Sequence, residues 1–137
     1  MTMRLNYGVV APEAIKALMG MEQAEKDMGL EPSLFHLIKL RASQINGCAY
    51  CIDMHNREAR KDGETQQRLD LLSVWRETNF FSDREKAALA WTEALTLISE
   101  THAPDAEYEA LAAVFDERER VAITLAISAI NGWNRFA

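Results

Sequence analysis

Apolar residues recur along the chain at intervals of three and four positions, the spacing that places them on one face of an α-helix. The segment after Pro32 is an example, because Leu34, Phe35, Ile38 and Ile45 fit a 3.6-residue period. No segment shows the period-2 alternation of apolar and polar residues that marks a half-buried β-strand. The pattern therefore predicts an all-α fold.

Helix-start and helix-stop signals divide the chain into about six to seven helices. Proline at a first helical position, capping boxes and glycine after a last turn are the signals used. The predicted helices begin near Pro12, Pro32, Cys48, Leu69, Ser82, Pro104 and Asp116. We expect the fifth to run through Ile98 and the last through Ile130. Short connections and a length of 137 residues predict a compact bundle forming a single domain over residues 1–137.

Two segments of the chain echo each other. Residues 40–47 and 125–132 share Leu, Ser, Ile, Asn and Gly at equivalent positions. Chance similarity between two helix ends is one explanation, and an internally repeated helical hairpin is the other. Only the first copy leads into cysteines. In both copies we expect the serine, Ser43 or Ser128, to pack between closely spaced helices.

Composition and charge narrow the class of protein. The chain is 48% apolar and 26% charged, which is typical of a globular protein, and its net charge of -6 disfavours nucleic acid and anionic membranes as partners. The N-terminal run lacks the features of a signal peptide, and the apolar residues 121–130 are too few to span a bilayer. We therefore expect a cytoplasmic protein, in which two cysteines indicate catalysis, redox sensing or metal binding.

The two cysteines form a Cys-x-x-Cys motif at a predicted helix start. Cys48 and Cys51 share a helical face, so their sulfurs can approach bonding distance. Unpaired N–H groups of the first turn lower the pKa of a thiol placed there. His55 lies one turn beyond Cys51, where an imidazole can accept the thiol proton and return it to a leaving group. The motif predicts thiol chemistry.

Two other interpretations of the cysteines stay open. Buried cysteine is often an inert small apolar residue. Cys48, Cys51 and His55 also supply three zinc ligands, but a structural site needs a fourth, which only His36 or His102 offers from elsewhere in the fold. We therefore expect no metal. The lack of a glycine-rich phosphate loop predicts no nucleotide or flavin cofactor.

The stretch from His36 to Gly63 resembles the core of the AhpD-like alkylhydroperoxidases, within the carboxymuconolactone decarboxylase-like superfamily. Residues 43–51, Ser-Gln-Ile-Asn-Gly-Cys-Ala-Tyr-Cys, followed by Met54 and His55, match the family signature nearly letter for letter. The similarity extends to residues 82–85, 91–93 and 131–134. The resemblance implies an all-helical fold, a homo-oligomer (trimer or hexamer) and reduction of hydroperoxides by the dithiol.

The resemblance also implies a role for each site residue. Cys51 would attack the peroxide, and Cys48 would convert the resulting sulfenic acid into a disulfide, with His55 as the relay histidine. The best-known members carry a glutamate twelve residues before the first cysteine and a histidine between the two cysteines. Here His36 and Tyr50 occupy those positions. His36 can pass a proton near neutral pH, whereas we expect Tyr50 to donate a hydrogen bond or pack against the site wall.

These observations predict a thiol-dependent hydroperoxide reductase. Its substrate would be a small hydroperoxide, and its reductant an external dithiol of the lipoyl or thioredoxin type. Two alternatives stay open. One is a decarboxylase-like enzyme acting on a small carboxylate or lactone, with His55 and His36 doing the acid–base work. The other is a non-catalytic oligomeric stress-response protein.

Overall fold

The computed structural model describes residues 3–137, and the regular structure within that range is entirely helical. The first two residues, part of the run on which the signal-peptide argument rests, lie outside it. The elements in chain order are α1 (Tyr7–Val10), α2 (Pro12–Asp27), α3 (Pro32–Asn46), α4 (Ala49–Lys61), α5 (Gln66–Leu71), a short 3-10 helix (Leu72–Glu77), α6 (Asp83–Thr96), α7 (Ile98–Thr101), α8 (Asp105–Ala112) and α9 (Glu117–Phe136). The all-α prediction is confirmed. The additional elements are single turns, α1 and α7.

Most helices begin where the sequence predicts. Pro12 and Pro32 occupy the first positions of α2 and α3. Ser82 and Asp116 each form a complete capping box, at the starts of α6 and α9. A capping box satisfies two backbone N–H groups that the first turn leaves unpaired, so these sequences fix the helix starts locally.

Two helix ends differ from the prediction. Leu97 has a non-helical backbone (φ -98°, ψ 34°), so α6 ends at Thr96 and Ile98 begins a separate turn. The last helix continues past Ile130 to Phe136. Apolar periodicity alone cannot locate such ends, because the side-chain pattern continues through both of them.

Asn-Gly has opposite effects in the two echoed segments. Gly47 has φ 70° and ends α3, whereas Gly132 stays inside α9. A Cβ atom at Gly132 would lie 3.2 Å from Cδ2 of Leu18, so glycine there lets α2 pack close to α9. A glycine in the left-handed conformation commonly ends a helix. Gly47 adopts that conformation and Gly132 does not, so the same dipeptide ends α3 but lies within α9.

The two echoed segments lie against each other. Asn46 Nδ2 donates hydrogen bonds to Oδ1 of Asn131 and of Asn134, each at 2.9 Å. Ser43 is fully buried and accepts a 3.1 Å hydrogen bond from Asn134 Nδ2, as the packing prediction requires. Ser128 is exposed, so the same prediction is wrong for the second copy. Its position faces away from the neighbouring helices.

The core consists of two apolar clusters on different faces of α3. One includes Leu34, Phe35, Ile38, Trp91, Leu111, Ile123 and Ile127. The other includes Leu37, Leu40, Leu69, Leu72, Trp75, Phe81 and Leu89. Burial of each large apolar side chain stabilises the fold by roughly 1.5–3 kcal/mol. Because α3 contributes residues to both clusters, it is the central helix of the fold. It packs against α4, α6 and α9.

The helix α2 departs from this pattern. Its apolar residues Ile15, Leu18 and Met21 are only half-buried, and Met19 is 58% exposed. The one buried residue of α2 is Glu25. Within residues 3–137, the molecule holds no helix with both the length and the apolar character needed to cross a membrane.

Candidate functional site

The cysteines lie at the closed end of a hairpin formed by α3 and α4. The left-handed Gly47 ends α3, and the backbone N–H of Cys48 then donates to the Ser43 carbonyl at 3.1 Å. Cys48 is the N-cap of α4, and its sulfur accepts a hydrogen bond from the backbone N–H of Cys51 at 3.3 Å. The motif therefore occupies the positive end of the α4 dipole.

Cys48 and Cys51 are joined by a disulfide. Their Cα atoms are 5.3 Å apart, the separation that neighbouring positions i and i+3 of a helix start provide. The predicted approach of the two sulfurs is confirmed. Cys48 is 7% exposed and Cys51 is 2% exposed, so solvent reaches the sulfurs only narrowly.

His55 is buried one turn beyond Cys51. Its Nδ1 lies 3.4 Å from a carboxylate oxygen of Glu58. Burial, reinforced by the positive charge of Lys39 and opposed by Glu58, lowers the pKa of His55 from 6.5 to about 4. The imidazole next to the disulfide is therefore neutral at neutral pH and free to accept a proton.

A cavity of about 260 Å³ opens beside the disulfide. Its walls come from α1, α2, α4 and the end of α9: Tyr7, Met19, Glu22, Tyr50, Cys51, Met54, His55, Trp133 and Ala137. Cys51 contributes to these walls and Cys48 does not. The volume is below that of an ordinary drug-sized site, so it suits a small ligand.

Tyr50 and His36 have different relationships to this cavity. Tyr50 is 51% exposed and forms part of the wall. His36 is absent from the wall, and its Nε2 lies 2.6 Å from Oδ2 of Asp62, the residue after α4. The structure therefore brings Cys48, Cys51, His55 and Tyr50 together and places His36 at the open end of the hairpin.

Two charged residues near the site were missed by the sequence reasoning. Glu25 has no exposed surface, and Lys39 Nζ lies 2.8 Å from its Oε1. No well-aligned hydrogen bond satisfies either oxygen of Glu25 among the described residues. Burial raises the pKa of Glu25, although the ion pair with Lys39 opposes the rise. The missed signal is positional: Glu25 falls on the same stripe of α2 as Leu18 and Met21.

The position of Lys39 on α3 explains its effect on His55. Lys39 lies one turn from Ser43, which holds Cys48, and one turn from His36, which contacts Asp62 after α4. In an antiparallel hairpin fixed at both ends in this way, the middle of α3 faces the middle of α4. Lys39 therefore lies level with His55, which explains why its positive charge acts on the imidazole.

Other features of the surface do not add to this site. A polar groove of about 460 Å³ lies between α4 and α5, with Asp53, Asn56, Arg60 and Asp70 in its walls, and holds none of the predicted site residues. Over residues 3–137, no group of three or more His, Cys, Asp or Glu side chains is arranged to hold a metal ion. His102 caps the single turn α7 with φ 57°.

Comparison with known proteins gives concordant matches. The model of the carboxymuconolactone decarboxylase family matches residues 12–94. The uncharacterized protein YdfG of Bacillus subtilis is 44% identical over 137 residues, covering 100% of this chain and 93% of that protein. A crystal structure of an Agrobacterium tumefaciens protein of unknown function, suggested to be the antioxidant defence protein AhpD, superposes with a TM-score of 0.95. It is 51% identical and covers 99% of this chain and 93% of that one.

A more distant structure shares only the fold. The debrominase Bmp8 superposes with a TM-score of 0.80 at 21% identity, covering 91% of this chain and 67% of that one. At this level of identity the similarity supports the all-helical architecture and carries no information on the substrate.

Proposed function

Because the chain belongs to the carboxymuconolactone decarboxylase family, and to its AhpD-like members, we propose that it is a thiol-dependent hydroperoxide reductase. The observation that carries the proposal is the Cys48–Cys51 disulfide, because Cys51 lines a small cavity together with a neutral, buried His55. A nucleophile, a second thiol and a base within two helical turns are the parts that this reaction needs.

The proposed reaction begins with the reduced dithiol. His55 accepts the proton of the Cys51 thiol, and the resulting thiolate attacks the outer oxygen of the hydroperoxide. The O–O bond breaks, the outer oxygen stays on the Cys51 sulfur with its hydrogen, and the imidazolium returns its proton to the departing alkoxide, which leaves as the alcohol. Cys51 is then a sulfenic acid. The Cys48 sulfur attacks it, water leaves, and the disulfide forms. One hydroperoxide and two thiols thus give one alcohol, one water and one disulfide.

An external dithiol would return the enzyme to its reduced form. By thiol–disulfide exchange it supplies two electrons and two protons and becomes a disulfide itself. We propose a lipoyl or thioredoxin type of dithiol for this step, acting in the cytoplasm, where such reductants are maintained. Of these two types, the small exposed fraction of each cysteine favours the slender lipoyl arm over the flat protein surface of a thioredoxin.

The site gives less support to the decarboxylase-like alternative. That reading assigned acid–base work to His55 and His36 together. His36 lies outside the cavity wall and contacts Asp62.

We also propose that the chain forms a homo-oligomer. Association would cover the exposed apolar side chains of Val9, Val10 and Met19. Light scattering that shows a monomer would contradict this proposal.

Thiol counting tests the proposed reaction. The reduced protein is mixed with cumene hydroperoxide or tert-butyl hydroperoxide, and free thiols are titrated over time. We expect two thiols per chain to be lost in the wild type. Cys48→Ser should stop at a sulfenic acid on Cys51 that a dimedone probe traps, and Cys51→Ser should show neither thiol loss nor trapping.

Two of the three histidines provide a matched pair of variants. We expect His55→Ala to slow thiol loss by about 10²-fold or more, the usual contribution of a positioned acid–base group. His102→Asn, at a surface turn, should react as the wild type does. Wild-type protein that keeps both thiols under peroxide would end the proposal, and would favour the non-catalytic alternative.

A further inference from the structure

The charge of the cavity wall bears on which hydroperoxides can enter. Apart from the site residues Cys51 and His55, the wall is mostly apolar or aromatic, with Tyr7, Met19, Met54 and Trp133 as the large contributors. These side chains can contact an alkyl or aryl group by dispersion and burial of apolar surface. Glu22 contributes the one acidic side chain of the wall.

Glu22 is not paired with a cation inside the cavity, because Lys26, four residues further along α2, is exposed and lies outside the cavity wall. No Lys or Arg belongs to the cavity wall, and no cation forms an ion pair with Glu22 among residues 3–137. Lys39, the nearby cation of α3, is already paired with the buried Glu25. Glu25 is one turn from Glu22 on α2 and feels its negative charge. The part of the cavity wall that α2 forms therefore carries one negative side chain and no positive one.

From this arrangement we infer that Glu22 is a specificity-determining residue that selects neutral hydroperoxides and rejects those bearing a carboxylate. The inference rests on the proposed peroxidase reaction and adds the class of substrate. An anionic substrate would place its charge in a small, poorly solvated space facing Glu22, with no Arg or Lys on the wall to pair with it. A neutral alkyl or aryl hydroperoxide meets no such repulsion.

The same reasoning bears on ligands of the alternative function. A small lactone or ring acid carries the carboxylate that this wall disfavours. Sites that bind carboxylates ordinarily present Arg, Lys or several backbone N–H groups to the anion. The α4 N-terminus is occupied here by the sulfurs, because Cys48 caps it and Cys51 lies in its first turn. The cavity wall thus offers a carboxylate no Lys or Arg side chain to pair with.

A matched pair of substrates tests the inference. Reduced protein is mixed at pH 7 with cumene hydroperoxide or with its para-carboxylate derivative, which has the same reacting group and one added negative charge. The rate of thiol loss is measured for each. We expect the neutral compound to react about fivefold faster or more, as one charge–charge repulsion across a partly solvated cavity predicts. Glu22→Gln should bring the ratio close to one, and Glu22→Lys should reverse it.

The controls separate this inference from the proposed function. Glu109→Gln removes an exposed carboxylate on α8 and should keep the wild-type ratio. In the wild type, sodium chloride should reduce the preference by screening Glu22, which tests the idea without a variant. Equal ratios in wild type and Glu22→Gln, with both compounds oxidising the dithiol, would overturn the inference alone. Failure of both compounds to oxidise the dithiol would overturn the proposed function.

Discussion

Lys39 Nζ lies 2.8 Å from Oε1 of Glu25, and the carboxylate of this pair has no contact with solvent. Transfer of a charge from water into a protein interior costs several kcal/mol, so such a pair stabilises a fold less than apolar residues of the same size would. The positive charge of Lys39 also acts on the active site, because it helps to lower the pKa of His55. The pair thus acts on the site more than on the fold.

Removal of one partner of this pair should be costly. Lys39→Met leaves the Glu25 carboxylate buried without a counter-ion, and we expect the free energy of unfolding at pH 7 to fall by about 3 kcal/mol. The double variant Glu25→Gln/Lys39→Met has no buried charge and should recover at least half of the loss. Urea unfolding of the three proteins measures both values. A double variant less stable than Lys39→Met would contradict the account.

The stability of the oxidised protein should depend on pH through His55. The pKa of His55 is about 4 in the folded protein, against 6.5 without burial. Between these values the unfolded chain binds a proton that the folded protein excludes, so the contribution is complete above pH 6.5 and is lost as the pH falls to 4. The loss amounts to roughly 3 kcal/mol.

The His55→Gln variant isolates this contribution. Urea unfolding at several values between pH 7 and pH 4 should show a steeper decline for the wild type than for His55→Gln, because the glutamine does not titrate. His102→Asn should keep the wild-type decline, since that histidine lies in an exposed turn. The same pH dependence in wild type and His55→Gln would refute the assignment.

Reduction of the disulfide should raise the pKa of His55. A Cys51 thiolate beside the ring favours the imidazolium, an effect that the disulfide lacks. Two-dimensional NMR of the His55 ring protons, in oxidised and reduced protein, follows the titration directly. We expect the pKa of His55 to increase by at least one unit on reduction in the wild type, whereas Cys51→Ser, which has no disulfide to reduce, should give the same pKa with and without reductant. An equal pKa in both redox states would contradict the proposed proton transfer.

The backbone at Gly47 should resist substitution. With φ 70°, an added Cβ costs about 1 kcal/mol, so Gly47→Ala should lower the melting temperature. Gly20→Ala is the matched control, because Gly20 lies within α2 and a Cβ there meets nothing within 4 Å. That variant should gain up to about 1 kcal/mol. Calorimetry that shows equal effects at the two glycines would contradict this assignment.

Local signals predicted most of the helices. Pro12, Pro32 and the capping boxes at Ser82 and Asp116 act through the backbone within a few residues, so their effect is visible in the sequence. The end of α6 could not be predicted in this way, because the backbone leaves the helical conformation at Leu97 while the apolar side-chain pattern continues to Ile98. The sequence likewise placed the sulfurs correctly, because the spacing of Cys48 and Cys51 is a local property of one helix.

The rest of the site depends on contacts between helices. Nothing in the sequence around Glu25 specifies that α2 carries it against Lys39, since the two residues belong to separate elements. His36 lies at the spacing expected for a relay residue, yet its ring reaches Asp62 instead of the cavity. Spacing along one helix predicts a shared face, but the partner facing it comes from the packing.

The Cys48 sulfur makes two contacts with Cys51. It forms the disulfide bond, and it accepts the hydrogen bond from the backbone N–H of Cys51 in the first turn of α4. When the bond opens, a negatively charged sulfur becomes a stronger acceptor and holds that N–H as an aspartate would. The redox state of the disulfide is therefore linked to the rigidity of the first turn of α4. Hydrogen exchange of the Cys51 amide, compared between oxidised and reduced protein, would measure that change in the absence of substrate.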